Sequence, residues 1–327
     1  MSRRTQFTPC LTRPMAGLLA VLSGWAVAGA AVAACQVAPL LPKGWPGTPH
    51  AGQVAVAAGA FTLGSQDGYA DERPTVPTQV AAFWIDRTEV TNAQFAAFVK
   101  ATGHVTDAER QGGAAVFVPP AEQDLRQRDL AWWRYVKGAN WRHPAGPASH
   151  LRGKERYPVV LVTQRDALAY AHWLGRDLPT EAEWEYAAKA GQQSPALDAA
   201  PRSAQGKPTA NYWQGNFPLL NTVEDGHSGL APVACFAPNA WGLFDTIGNA
   251  WEWTKDAYSG PHQSHANGDP APVVPGHAQS TAAKAVIKGG SFLCSPDYCV
   301  RYRASAREAQ EPDLATSHVG FRTVSRR

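Results

Sequence analysis

Leu178-Pro-Thr-Glu-Ala-Glu-Trp-Glu-Tyr186 carries the clearest local signal in the chain. Thr180 and Glu183 form a capping box, in which hydroxyl and carboxylate each satisfy a backbone N–H left free at a helix start. The helix they open is predicted to run to Ala190 and to stop at Gly191. Just upstream, Val159-Val-Leu-Val162 reads as a short buried strand. Thr163-x-x-Asp166 then opens a second helix through Leu174, with Leu168, Ala171 and Leu174 along one side. Further back, Thr91 caps a helix to about Thr102 that buries Phe95, Phe98 and Val99, and Val54 to Leu63 and Val80 to Ile85 read as strands. Residues 112–158 form a long irregular stretch with Trp132, Trp133 and Trp141. Downstream, residues 211–252 and 288–322 are dense in turns and aromatics. Residues 259–280, with His262, His265 and His277, read as a surface excursion between them. The pattern predicts one α+β domain with little regular structure.

Composition agrees. The 327 residues are 44% hydrophobic with 12 Trp, so a large core can be buried, while 29 Gly, 26 Pro and only 17% charge favour loops. The net charge of +3 is dispersed, with no basic stripe to engage nucleic acid. The N-terminus reads as a targeting segment. Arg3, Arg4 and Arg13 precede an uncharged run from Ala16 to Ala34, and Val32-Ala33-Ala34-Cys35 resembles a bacterial lipobox. The expected organisation is a lipoprotein-type signal over 1–34, a Pro-rich tether over 35–50 and the domain over 51–327. Lipidation at Cys35 would make a periplasm-facing lipoprotein, with the membrane reached through a lipid anchor only. An ordinary secretory cut would instead give a soluble periplasmic or secreted protein. Four cysteines follow the signal: Cys35, Cys235, Cys294 and Cys299. At most one bridge is expected, with Cys294–Cys299 the natural candidate and Cys235 a buried apolar residue.

Three constellations could carry chemistry. Asn211 to His227, with Asp225, and Asp245 to Glu252 both set side-chain oxygens in Gly-bearing turns. Each suits a hard cation such as Ca²⁺, or equally the Asx turns of ordered loops. Cys294-x4-Cys299 suits a disulfide or a soft ion. Two thiolates without further Cys or His partners fall short of a zinc site but suit Cu(I).

Taken together these pieces resemble the formylglycine-generating enzymes, or sulfatase-modifying factors, from about Val54 to Val324. The resemblance runs through Gly59-Ala-Phe-Thr-Leu-Gly64, Glu89-Val-Thr-Asn-Ala-Gln-Phe95, Asn140-Trp-Arg-His-Pro-Ala-Gly-Pro147, Leu178 to Tyr186, Gly248-Asn-Ala-Trp-Glu-Trp253, Gly289-Gly-Ser-Phe-Leu-Cys294 and Gly320-Phe-Arg322. It implies the C-type-lectin-like fold of that family. It also implies a copper-dependent oxidase that uses O₂ and a thiol reductant. The substrate would be a cysteine in a Cys-x-Pro-x-Arg segment of an unfolded sulfatase or similar protein, converted to Cα-formylglycine. By the same resemblance Cys294 and Cys299 hold Cu(I), Ser291 and Tyr298 stand beside it, and Trp251 is a pocket wall. Two structural Ca²⁺ sites are implied: Asn211, Tyr212, Asp225 and His227 in one; Asp245, Gly248, Ala250 and Glu252 in the other.

The chain departs from the pattern at several positions. Ser295 and Pro296 follow Cys294 where the family often has His and a second polar residue. His318 stands where Asn is common, and Asp245 where Asn is usual. Ala188, Ala304 and Thr323 occupy positions that are cysteines in secreted animal relatives. The rival reading is a non-catalytic binding module of the same fold, with Cys294–Cys299 a structural disulfide. An iron sulfoxide synthase would need a three-histidine site, commonly on a preceding helical domain, which this sequence does not show.

Overall fold

The structure, a computed structural model, describes residues 35, 39–126, 130–260 and 283–326. The signal segment, most of the 259–280 excursion and its three histidines lie outside the described residues.

The helices follow their caps. Asn92–Thr102 starts at Thr91, Gln164–Trp173 at Thr163 and Glu181–Lys189 at Thr180. At the last of these Glu183 N–H donates to Thr180 Oγ1 (3.0 Å) and Thr180 N–H to Glu183 Oε2 (2.8 Å), the reciprocal pair expected from sequence. Strands are short and less faithful to the pattern. The opening run divides into Gln53–Val56 and Gly59–Leu63, which enter different sheets. Residues 80–85 divide likewise between Val76–Val80 and Phe83–Asp86. Residues 159–162 are buried without forming a strand: Leu161 has φ 60°, and its N–H donates to the Thr316 carbonyl.

Two sheets frame the molecule. In one, Phe83–Asp86 is flanked on both sides, antiparallel, by Gln53–Val56 and Val324–Arg326. In the other, Trp251–Ala257 pairs in parallel with Val319–Gly320 and antiparallel with Ala285–Lys288, which pairs in turn with Arg307–Gln310. A hairpin-like pair, Gly113–Phe117 with Trp133–Lys137, folds part of the long irregular stretch over the second sheet, where Ala115 bridges Thr316.

The quoted motifs interlock in the core between them. Trp184 Nε1–H donates to Glu252 Oε2 at 2.7 Å, and Arg322 grips both oxygens of Glu252 at 2.6 and 2.7 Å. Glu185 pairs with Lys288 (2.7 Å) and Lys189 (2.7 Å), all of them buried. The helix of residues 181–189 thus anchors the strand that leads to the thiols. Gly289 (φ 93°) and Gly290 (φ 78°) then turn the chain. A Cβ on Gly290 would stand 2.6 Å from the Arg301 carbonyl, so only glycine fits there. No helix among the described residues is long and apolar enough to cross a membrane.

Candidate active site

The double-glycine turn delivers Ser291, and a tight loop follows. Cys294 N–H donates to the Ser291 carbonyl (3.0 Å), while Ser295 and Cys299 exchange backbone hydrogen bonds (3.0 Å each). This folds Cys294-x4-Cys299 back on itself and leaves the sulfurs 3.2 Å apart as two thiols. The expectation of a bridge here is corrected: the pair is close and unbonded. Ser295, one of the departures from the family pattern, is wholly buried. Its hydroxyl bonds Asp297, which also accepts the Phe217 N–H (3.1 Å), so it builds the loop rather than facing a ligand.

Bonds from distant segments hold the loop. Trp213 N–H donates to the Cys294 carbonyl (2.9 Å) and Val300 N–H to Tyr69 Oη (3.1 Å). Arg301 lies on the Tyr69 ring (4.2 Å) and pairs with Asp71 (2.8 Å) and Glu308 (3.1 Å). Arg303, fully buried, is paired with fully buried Glu72 and donates to the Val300 carbonyl (3.0 Å). Sequence reading singled out none of Tyr69, Asp71, Glu72 or Glu308, which are more than a hundred residues from the cysteines or lie in an unremarkable strand.

The sulfurs open into a cavity of about 150 Å³. Trp251 and Ser291, both buried, line it, and Tyr298 stands at its mouth, 52% exposed. Tyr298 stacks on Phe217 (4.7 Å, 14°) with Trp132 edge-on (5.4 Å), so aromatic surface surrounds the thiols. Burial, then the Cys299 charge, pushes the Tyr298 hydroxyl up to about 12, which keeps it a neutral donor. The thiols themselves differ. Burial works to raise Cys294, but the Cys299 hydrogen bond, backbone N–H groups and the Arg301 charge together hold it below its ordinary value. Cys299 is pushed well up, first by its hydrogen bond to Cys294 and then by burial. Cys294 is thus the more acidic of the two thiols and Cys299 the less.

Two other clusters stand away from the thiols. Asn211, Tyr212 and Asp225 converge: Gln214 Nε2–H₂ donates to both the Tyr212 carbonyl and Asp225 Oδ2, and His227 N–H donates to Asp225 Oδ1 (2.8 Å). Asn211 Oδ1 is buried with no hydrogen-bond partner in the protein, an oxygen that fits a cation. In the second cluster Glu252 accepts from Arg322 on both oxygens and from Trp184 on Oε2. Buried Glu89, which nothing local in the sequence marks, stands with it beside Asp245. Burial, then the charges of Asp245 and Glu252, raises Glu89 well above the carboxylate range. Burial likewise raises Asp245 to about 6. Three buried acids share one arginine, an excess that a cation would balance. Gly248 and Ala250 lie in the same turn, where Ala250 N–H donates to Glu89 Oε1 (3.3 Å).

Cys35 carries the other correction. Its sulfur is bonded to Cys235, 200 residues away, beside the His227 ring. The one bridge among the described residues is thus not the expected one, and Cys235 is not an isolated apolar residue. Cys35, the expected lipidation position, is one partner in this bridge.

Two separate thiols thus lie within a wall of aromatics on a loop-rich α+β frame. The family described as sulfatase-modifying factor enzyme 1-like domain matches residues 41–327. The formylglycine-generating enzyme of Streptomyces coelicolor is 45% identical over 284 residues, covering 84% of this chain and 89% of that one. That of Thermomonospora curvata is 43% identical, covering 87% and 97%. Among solved structures, PvdO from Pseudomonas aeruginosa superposes with a TM-score of 0.58 at 26% identity, covering 85% of this chain and 95% of that one. The chain belongs to the sulfatase-modifying factor enzyme 1-like family.

Proposed function

We propose that this protein is a formylglycine-generating oxidase. It converts the cysteine of a Cys-x-Pro-x-Arg segment in an unfolded sulfatase, or in another protein bearing that segment, to Cα-formylglycine, with O₂ as acceptor and a thiol as reductant. The observation that carries the reading is the pair of separate thiols, 3.2 Å apart, at the floor of an aromatic cavity in a chain matched over residues 41–327. Two soft sulfurs side by side suit Cu(I), and Cys294 and Cys299 would hold it. Copper so held supplies a one-electron route between thiolate sulfur and O₂. The chain's own residues do the rest. Trp251, Phe217 and Trp132 exclude water from around the sulfurs. Arg301 keeps positive charge beside Cys294, and Tyr298 offers a neutral O–H at the entrance. Incubation with Cu(I), a thiol reductant and a Cys-x-Pro-x-Arg peptide should yield the mass expected for cysteine converted to aldehyde. A peptide of unchanged mass, with copper bound, would overturn the reading.

The two oxygen clusters are proposed to hold structural Ca²⁺: Asn211, Tyr212, Asp225 and His227 in one; Asp245, Glu252 and the carbonyls of Gly248 and Ala250, with Glu89 beside them, in the other. Binding to the folded state alone stabilises it by about 2.7 kcal/mol per site at a hundred times Kd. EGTA should therefore lower the melting temperature by about 5 °C or more, and Ca²⁺ rather than Mg²⁺ should restore it. We further propose an exported, soluble protein whose tether is stapled by Cys35–Cys235. Non-reducing peptide mapping of the exported protein should recover those two cysteines in one linked species. An acylated Cys35 peptide in its place would sink the idea.

A further inference from the structure

The Cys35–Cys235 bridge lies beside the His227 ring, and two sulfurs and an imidazole nitrogen stand within 4.8 Å of one another. One ion with bonds of roughly 2–2.3 Å spans such a gap. The His227 backbone N–H is engaged by Asp225 Oδ1 (2.8 Å), but its ring makes no hydrogen bond to any described residue. Cys35 and His227 line a cavity of about 700 Å³ that shares no residue with the cavity at Cys294 and Cys299. All three side chains are partly exposed, so a reductant and an ion can reach them.

Two of the three are held without the bridge. The turn that carries His227 is closed by Gly226 N–H to the Val223 carbonyl (3.0 Å). Cys235 follows Ala234, whose φ of 61° turns the chain and whose N–H donates to Asp245 Oδ2 (2.6 Å), while Val233 N–H donates to the Arg156 carbonyl (2.9 Å). Buried Trp45, edge-on to Trp173 (5.6 Å), anchors the segment that brings Cys35. Opening the bridge therefore leaves the three donors close together.

The donor set selects the ion. Asp225 also lines the cavity, but its Oδ1 takes the His227 N–H, and its Oδ2 takes the Tyr212 N–H (3.2 Å) and Gln214 Nε2–H₂ (2.8 Å). That leaves two soft sulfurs and one imidazole. Structural zinc takes four ligands, whereas Cu(I) is content with three.

We propose that Cys35, Cys235 and His227 form a second Cu(I) site, closed while the bridge stands and opened by a thiol reductant. Two reductant thiols supply two electrons and two protons: the Cys35–Cys235 bond breaks, an S–H forms on each cysteine, and the reductant leaves as its own disulfide. Binding of Cu(I) then releases both thiol protons. The site is independent of the chemistry at Cys294 and Cys299.

The test uses the full exported chain carrying Cys294→Ser and Cys299→Ser, so that only the new site is counted. The protein is reduced with dithiothreitol, desalted without air and titrated with Cu(I) against a chromophoric chelator. The reduced protein should hold one Cu(I) per chain, and the unreduced protein at least tenfold less. Cys35→Ser or Cys235→Ser should abolish that equivalent. His227→Phe, which keeps the backbone groups of residue 227, should weaken it at least about tenfold. X-ray absorption of the copper-loaded protein should show two sulfurs and one nitrogen around the ion. If Cys235→Ser fails to fold, Cys35→Ser decides alone, since it changes only the outer segment. Less than one equivalent in the reduced protein, equal copper before and after reduction, or an equivalent that survives Cys35→Ser overturns the site. None of these outcomes bears on the oxidase reading, because the variant lacks both cavity thiols.

Discussion

Cys294→Ser is expected to reduce conversion of a Cys-x-Pro-x-Arg peptide by roughly a thousandfold or more, and Cys299→Ser to do the same. The two sulfurs act as a unit, 3.2 Å apart and in hydrogen-bond contact, so the double variant should be no worse than either single one. The fold should survive. What shapes the loop is backbone: the Ser291 carbonyl to Cys294 N–H, the Ser295–Cys299 exchange and the Trp213 N–H to the Cys294 carbonyl. Copper affinity, read by competition with a Cu(I) chelator, should fall in parallel with turnover, while the melting temperature shifts little. Turnover retained by either variant would move the chemistry elsewhere in the molecule.

Glu72→Gln is expected to be the most damaging change outside the thiols. Glu72 and Arg303 are both fully buried and paired, and Ser305 Oγ (2.7 Å) and Tyr69 N–H (3.0 Å) complete the carboxylate's partners. Removing one charge of a buried pair leaves the other uncompensated and costs about 3–5 kcal/mol. For a domain of this size that is a fall in melting temperature of roughly 6–20 °C. The double variant Glu72→Gln/Arg303→Met should recover a large part of it, because no charge is then buried alone. The effect reaches the site, since Arg303 holds the Val300 carbonyl next to Cys299, and Cu(I) affinity should drop in the single variant. The pH dependence has a definite sign. Burial raises the Glu72 carboxyl, but Arg303, Ser305 and the Tyr69 N–H outweigh it and hold it below the usual value. Its stabilisation is therefore full above the ordinary carboxylate range and is lost as pH falls through the lowered value. Unfolding followed against pH should show an acid shoulder in the parent that Glu72→Gln lacks.

The helices were legible in the sequence because their signals are local. Thr91, Thr163 and Thr180 each announce a helix within four residues. The cysteine loop was legible as a place, though not as a chemical state, because spacing alone permits bridge or thiols. Features set by long-range packing were not. The Val54–Leu63 run looks continuous, yet its halves go to different sheets, one pairing with Phe83–Asp86 and the other with Val76–Val80. Glu252 sits in the turn the sequence marks, but nothing local announces that Trp184 and Arg322 also reach its oxygens. Glu89 and the Cys35–Cys235 bridge depend on partners more than 150 residues away, for which a single sequence holds no local mark.

The strand Phe83–Asp86 takes its two neighbours from opposite ends of the domain, Gln53–Val56 and Val324–Arg326. A nascent chain can lay down the first pairing early, but the other flank stays open until residues 324–326 have emerged. Arg322 and His318, which precede them, supply the partner of Glu252 and one wall of the thiol cavity. The catalyst is therefore completed by a latch closed late in synthesis. A ribosome-bound intermediate that stops short of Gly320 would carry both cysteines and still lack a site, so activity should switch on with chain length in one step.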